Sequence, residues 1–152
     1  MKHPYLAYLL AAATTVMLAC GSVPARSEES GAARPLALRQ IMKDMGRNMQ
    51  SIVDAIARED WPGAAKAATA VGAHPEPPLT EKVRILAFIG TDAGKFKGFD
   101  EKSGQAAKAL QQAAARVDGP GVITAFAEMQ TACLGCHQSF RRPLVEHFYG
   151  KR

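Results

Sequence analysis

Near the C-terminus the chain reads Cys133-Leu134-Gly135-Cys136-His137. Two cysteines two residues apart, with a histidine directly after the second, form the attachment signature of c-type haem. The spacing follows from the chemistry. Each thiol adds to a vinyl group of the same porphyrin, so both sulfurs must reach neighbouring edges of one ring, and the imidazole must then come under the iron from the next residue. On a helix, positions i, i+3 and i+4 share a face, so Cys133, Cys136 and His137 can all point at one macrocycle. His137 is the expected proximal iron ligand. A thioredoxin-like dithiol would need a βαβ setting, and the flanks here have helical periodicity. A structural zinc site needs about four ligands, and His74 and His147 are poorly spaced to complete one.

The first residues follow a different logic. Lys2, the apolar run from Leu6 to Ala19 and the small residues of Val23-Pro24-Ala25 match a secretory signal peptide. The run is too short for a membrane span. Residues 1–25 are therefore expected to be cleaved, leaving 26–152 as a single exported domain, periplasmic in a bacterium. Met17-Leu18-Ala19-Cys20 loosely matches a lipoprotein site, and a lipid anchor on Cys20 is the alternative, although Met17 fits its first position poorly. With cleavage after Ala25, Cys133 and Cys136 are the remaining cysteines, and no disulfide competes for them. The chain carries 19 Lys and Arg against 14 Asp and Glu, a net +5. No basic run exceeds Arg141-Arg142, so nothing resembles a nucleic-acid footprint.

Hydrophobic spacing predicts helices throughout. Leu38, Met42, Met45, Met49, Ile52 and Ile56 recur at intervals of three and four, which predicts a first helix over 36–58. Asp60-Trp61-Pro62 ends it and caps a second, alanine-rich helix over 64–71. The cluster His74-Pro75-Glu76-Pro77-Pro78 stops that helix, and His74 is expected at the surface. Thr80 is a candidate cap for a third segment with Leu79, Val83, Leu86 and Ile89 on its inner face. Gly90 to Gly98 is expected to be loop, with Phe96 and Phe99 as anchors. Asp100 or Ser103 would cap a helix burying Ala106, Leu110, Ala113 or Ala114, and Val117. After Asp118-Gly119-Pro120 the last helix carries Val122, Phe126, Met129, Cys133, Cys136/His137 and Phe140 on one face, and Pro143 is expected to stop it. No strand alternation and no internal repeat is evident. The expected fold is all-α, an antiparallel four-helix bundle with the haem on its C-terminal helix.

Two stretches then resemble the cytochrome c′ family, the class II c-type cytochromes. Cys133-Leu134-Gly135-Cys136-His137-Gln138-Ser139-Phe140-Arg141 matches its CxxCHxx(F/Y)R ending, and Arg39-Gln40-Ile41-Met42-Lys43-Asp44-Met45-Gly46-Arg47-Asn48-Met49 is similar to its first helix. The resemblance implies one covalent haem c on a four-helix bundle. In one branch of the family the distal face is open and gases such as nitric oxide or carbon monoxide bind. In the other a methionine ligates the iron, and aligning on Gly46-Arg47-Asn48-Met49 puts Met42 there, with Met45 as the substitute. Periodicity alone does not choose among Met42, Met45 and Met49, since a methionine stripe also fills cores. Arg39 and Gln40 match positions near the haem propionates, and Arg141 completes the signature. Phe126, Met129, Phe140 and Phe99 are candidate pocket walls. The resulting expectation is a non-enzymatic periplasmic one-electron carrier with His137/Met42 ligation and transient redox protein partners, monomeric or homodimeric. The alternative is a haem protein that binds gas.

Overall fold

The computed structural model describes residues 35–150. The expected signal peptide, Cys20 and the polar leader lie outside the described residues. Within them the chain forms α1 (Ala37–Ala57), α2 (Trp61–Gly72), α3 (Leu79–Ile89), α4 (Ala93–Ala115), α5 (Gly119–Cys136) and α6 (Arg142–Tyr149). A 3-10 turn (Gly90–Asp92) leads into α4, and a π-helical segment (His137–Arg141) joins α5 to α6. No strand occurs among the described residues. The bundle consists of α1, α2, α4 and α5, with α2 packed on α1 and α4, and α4 on α5.

The core of the bundle is built from small residues. Ile52, Val71, Leu110, Val122 and Met129 are fully buried, and alanines 55, 64, 67, 68, 106, 107, 113, 114 and 125 fill the space between them. Alanine has the highest helix propensity, and its side chain is a single methyl that lets helices approach closely. An alanine-lined interior therefore brings the helices close together around a few large residues.

The two hairpins of the bundle turn in the same way. Arg58-Glu59-Asp60-Trp61-Pro62-Gly63 and Arg116-Val117-Asp118-Gly119-Pro120-Gly121 share the pattern Arg-x-Asp-x-Pro-Gly. In these turns Glu59 and Val117 take positive φ, 55° and 56°. Asp60 N–H donates to Ala55 O (2.9 Å) and Glu59 N–H to Ile56 O (3.1 Å), while Asp118 N–H donates to Ala113 O and Val117 N–H to Ala114 O (both 3.0 Å). Each is a Schellman closure. The Asp that completes it at once caps the next helix, accepting from Gly63 N or Gly121 N at 2.9 Å. A Cβ on either glycine would collide with that aspartate. The turns abut through Trp61 against Gly119, so both close the same end of the bundle. At the level of these turns the chain therefore does repeat itself.

Several expectations are corrected at the other end. Gly90–Gly98 is not loop: the 3-10 turn passes directly into α4, and the helix runs through Gly94 and Gly98. Each glycine costs about 1 kcal/mol in a helix, but no proline interrupts the segment, and Phe96 and Phe99 pack edge-on to Phe140 at 5.3 and 6.5 Å. Asp100 and Ser103 are therefore interior to α4, where Ser103 Oγ donates to Asp100 O. Thr80 does not cap α3, whose N-cap is Pro78. The face of α3 that is buried carries Ile85, whereas Leu79, Val83 and Leu86 are exposed. Val117 is exposed because it occupies the left-handed turn position. Pro143 does not stop the chain. It lacks an N–H for Ser139 O and would clash with that carbonyl. The backbone widens into the π segment just before it and resumes as α6, with Pro143 in the first turn.

The start of α1 is capped from a distance. Ala37 N–H and Leu38 N–H donate to the two Glu81 carboxylate oxygens (2.7 and 2.8 Å), and Leu36 N–H donates to the Tyr149 hydroxyl (2.9 Å). An anion at a helix N-terminus also meets the positive end of the helix dipole. Glu81 on α3 and Tyr149 on α6 thus hold the first turn of α1.

The turns give a direct stability test. Removing the capping carboxylate with Asp118→Ala is expected to lower unfolding free energy by about 1 kcal/mol. Val117→Asn, which replaces a β-branched residue in the left-handed region at an exposed site, is expected to raise it by about 0.5–1 kcal/mol. Urea denaturation of the two variants measures both, and a neutral Val117→Asn would show that the turn holds no backbone strain.

Candidate haem-attachment site

Cys133 and Cys136 occupy the last turn of α5, and His137 opens the π segment. Both cysteines are free thiols and half-buried, and Cys133 borders the buried core together with Met45 and Met49 of α1. The methionine stripe and the cysteine end of α5 therefore flank one apolar interior.

The titration behaviour of the three residues separates the possible chemistries. Burial pushes the Cys133 thiol up. Cys136 is pushed up to about 11, by burial first and then by Cys133 and Asp100 nearby. A dithiol oxidant needs the opposite, a thiolate stabilised at low pKa. Burial and then the Arg141 charge hold His137 below the ordinary histidine value, which favours the neutral imidazole that ligates metals. Among the described residues, no group of three or more His, Cys, Asp and Glu side chains is placed to hold a metal ion, so the zinc reading lacks a ligand set. Two thiols one turn apart, followed directly by a histidine, fit a covalently carried haem.

Gly135 is a further residue that the site requires. A Cβ there would lie 2.6 Å from Phe99 Cε1 and 3.1 Å from Cζ. The third motif residue is glycine because α4 presses the Phe99 ring onto it, and Phe140 meets that ring edge-on, 6.5 Å between centroids. A glycine in mid-helix was the available signal, since such a position often marks a close approach.

The remaining candidates separate clearly. Met42 is 36% exposed, while Met45 and Met49 pack against the core. Arg39 places its guanidinium over the Tyr149 ring, 5.7 Å from the centroid. Gln40 donates to Asp44 at 3.0 Å. Arg141 is exposed beside the motif. Met129 is fully buried in the core and Phe126 packs against it. Phe140, in the π segment, packs edge-on against Phe96 and Phe99 of α4. His147 stacks on Phe88, 4.0 Å between centroids. His74 is not a surface residue in the sense expected: its side chain is only 18% exposed and bonds to Asp100, a partner hidden from sequence by the misplaced start of α4.

Gly135→Ala is expected to destabilise the protein by about 1–3 kcal/mol through overpacking, and Phe99→Leu should relieve part of that loss in the double variant. A double-mutant cycle by thermal or chemical unfolding reads the coupling. Strict additivity would show that the Phe99–Gly135 contact is not what requires the glycine.

The family model for Cytochrome C′ matches residues 37–141, which spans the bundle and the whole π segment, so that α6 lies beyond it. A cytochrome c′ of Pararhodospirillum photometricum is 35% identical over 115 residues, covering 68% of this chain and 91% of the relative. No solved structure matches the chain. With the bundle, the match across most of its length and a cysteine–histidine segment that fits haem attachment, the chain belongs to the cytochrome c′ family.

Proposed function

We propose that this protein is an exported, periplasmic one-electron carrier holding a single haem c, with thioether links at Cys133 and Cys136, His137 as proximal ligand and Met42 as distal ligand. The observation that carries the reading is the division within the methionine stripe. Met45 and Met49 serve the core, and Met42, one turn away on the same helix, does not. A methionine excluded from the core is available for another task, and a soft thioether suits iron. Bound haem c supplies an iron that cycles between ferric and ferrous states, and methionine with histidine raises its potential.

The chain's own part is to tether, orient and exclude water. Cys133 and Cys136 hold the ring to α5. Phe99 pressed on Gly135 fixes that helix against α4, so both oxidation states meet the same surroundings. Arg141 is the member of the Arg39, Gln40 and Arg141 set whose charge acts on His137, and it is the proposed propionate partner by charge-assisted bonding. Arg39 and Gln40 are second candidates, engaged with Tyr149 and Asp44. No helix of the described residues is long and apolar enough to cross a membrane. Partners are proposed to be redox proteins that dock transiently.

Attachment and ligation are tested separately. Haem should run with the denatured chain on a gel and be lost from a Cys133→Ser/Cys136→Ser variant; haem that separates from the wild type would exclude thioether links. Optical spectra, ferric and ferrous, with and without carbon monoxide, address the sixth site. The wild type is expected to show low-spin ferrous bands indifferent to carbon monoxide, and Met42→Ala to become high-spin and bind it. A wild type that is already high-spin and takes up the gas would make gas binding the function.

A further inference from the structure

His74 lies in the connection between α2 and α3, and its ring meets two acceptors. Nδ1 is 3.1 Å from the Pro75 carbonyl oxygen, and Nε2 is 3.0 Å from Asp100 Oδ1 on α4. A carbonyl can only accept, and an ionised carboxylate can only accept. A ring with an acceptor at each nitrogen is best satisfied with both protons in place, so the hydrogen-bond geometry selects the imidazolium paired with a carboxylate.

The pair also adjoins the haem-attachment segment. Asp100 follows Phe99, whose ring rests on Gly135 between the two cysteines, and the Asp100 charge is felt at both thiols. The other charged groups acting on the pair are Glu76, on the same connection as His74, and Lys82 on α3, which bond to each other at 2.6 Å.

We propose that His74 and Asp100 form a proton-coupled pair that sets how the reduction potential of the haem carried by Cys133 and Cys136 varies with pH. The inference rests on the reading above that the chain carries a redox-active haem, and it holds whether or not Met42 is a ligand. His74 takes up a proton from water when one electron from the donor, a redox protein or a chemical reductant, lowers the positive charge at the haem site by one unit. It returns the proton to water when that electron passes to the acceptor. As the imidazole N–H bond forms, an O–H bond of hydronium breaks, and release of the proton to water reverses both.

The sign follows from charge. The imidazolium is favoured when the haem site is less positive, so its proton affinity is higher in the reduced protein. The hydrogen bond to Asp100 raises the His74 pKa above the ordinary 6.5 despite the opposing effect of burial, and the pair therefore acts in a window above that value. Across the window the potential falls as pH rises.

The test is a spectroelectrochemical titration of the haem-loaded protein from about pH 5 to about pH 9, for wild type, His74→Gln and Asp100→Asn. An about threefold difference in His74 proton affinity between oxidation states corresponds to about 28 mV, at about 59 mV per tenfold for one electron. The wild type should show that additional fall, His74→Gln should lack it, and Asp100→Asn should move it to lower pH because the imidazolium loses its anionic partner. A merely structural histidine would leave the pH profile unchanged on substitution. Superimposable profiles for wild type and His74→Gln overturn the proposal. If His74→Gln fails to retain haem, Asp100→Asn decides, and an unmoved window overturns it. The carbon monoxide assay reports separately on the carrier reading, so the two can fail independently.

Discussion

The seam between α4 and α5 is the contact on which the rest of the structure depends. Its alanines bring the two helices close, and at the motif end the approach is tight enough that Phe99 occupies the space a Cβ on Gly135 would need. That contact fixes the helix bearing Cys133, Cys136 and His137 against a neighbour also held by Phe96 and Phe140. Close-packed interiors transmit displacement, so the position of the cysteines and histidine is set by α4 as much as by α5. The π segment has the same origin: Phe140 is held inward at the point where Pro143 forbids regular helical bonding.

The two ends of the bundle have different jobs. The closed end is made of two copies of one turn, each pairing a Schellman closure with an aspartate cap. The other end gathers the start of α1, α3, the start of α4, the cysteine end of α5 and α6. Here local signals are weak and the ties are long-range: Glu81 and Tyr149 cap α1, Phe88 stacks on His147, and His74 bonds to Asp100. Each joins residues far apart in sequence, and together they hold the surroundings of the haem-attachment segment.

Most local signals are legible, with Val117 in its left-handed turn and Pro143 after the π segment as exceptions. The first helix came from its methionine stripe, the Asp60 cap from the following proline, and the haem-attachment segment from its spacing. The errors cluster where the deciding partner is distant. Gly90–Gly98 reads as loop because three glycines dominate the local propensity, and the aromatic packing that outweighs them lies on Phe140. The buried face of α3 was misjudged because the segment is short enough to satisfy two periodic patterns, and only packing selects Ile85. His74 reads as surface because Asp100 resembles a helix start in the sequence, whereas it lies inside α4.

By itself the sequence determined that this protein is helical, that it carries the signature of covalent haem attachment, and that its family is cytochrome c′. Those conclusions depend on bonds and spacings confined to one turn or one motif, where neighbouring residues suffice. The tertiary structure decided which methionine of the stripe stands outside the core, why Gly135 must be glycine, and which charge sits beside the cysteines. Each of these depends on what a second helix brings alongside, and burial and charge there are properties of the packed bundle.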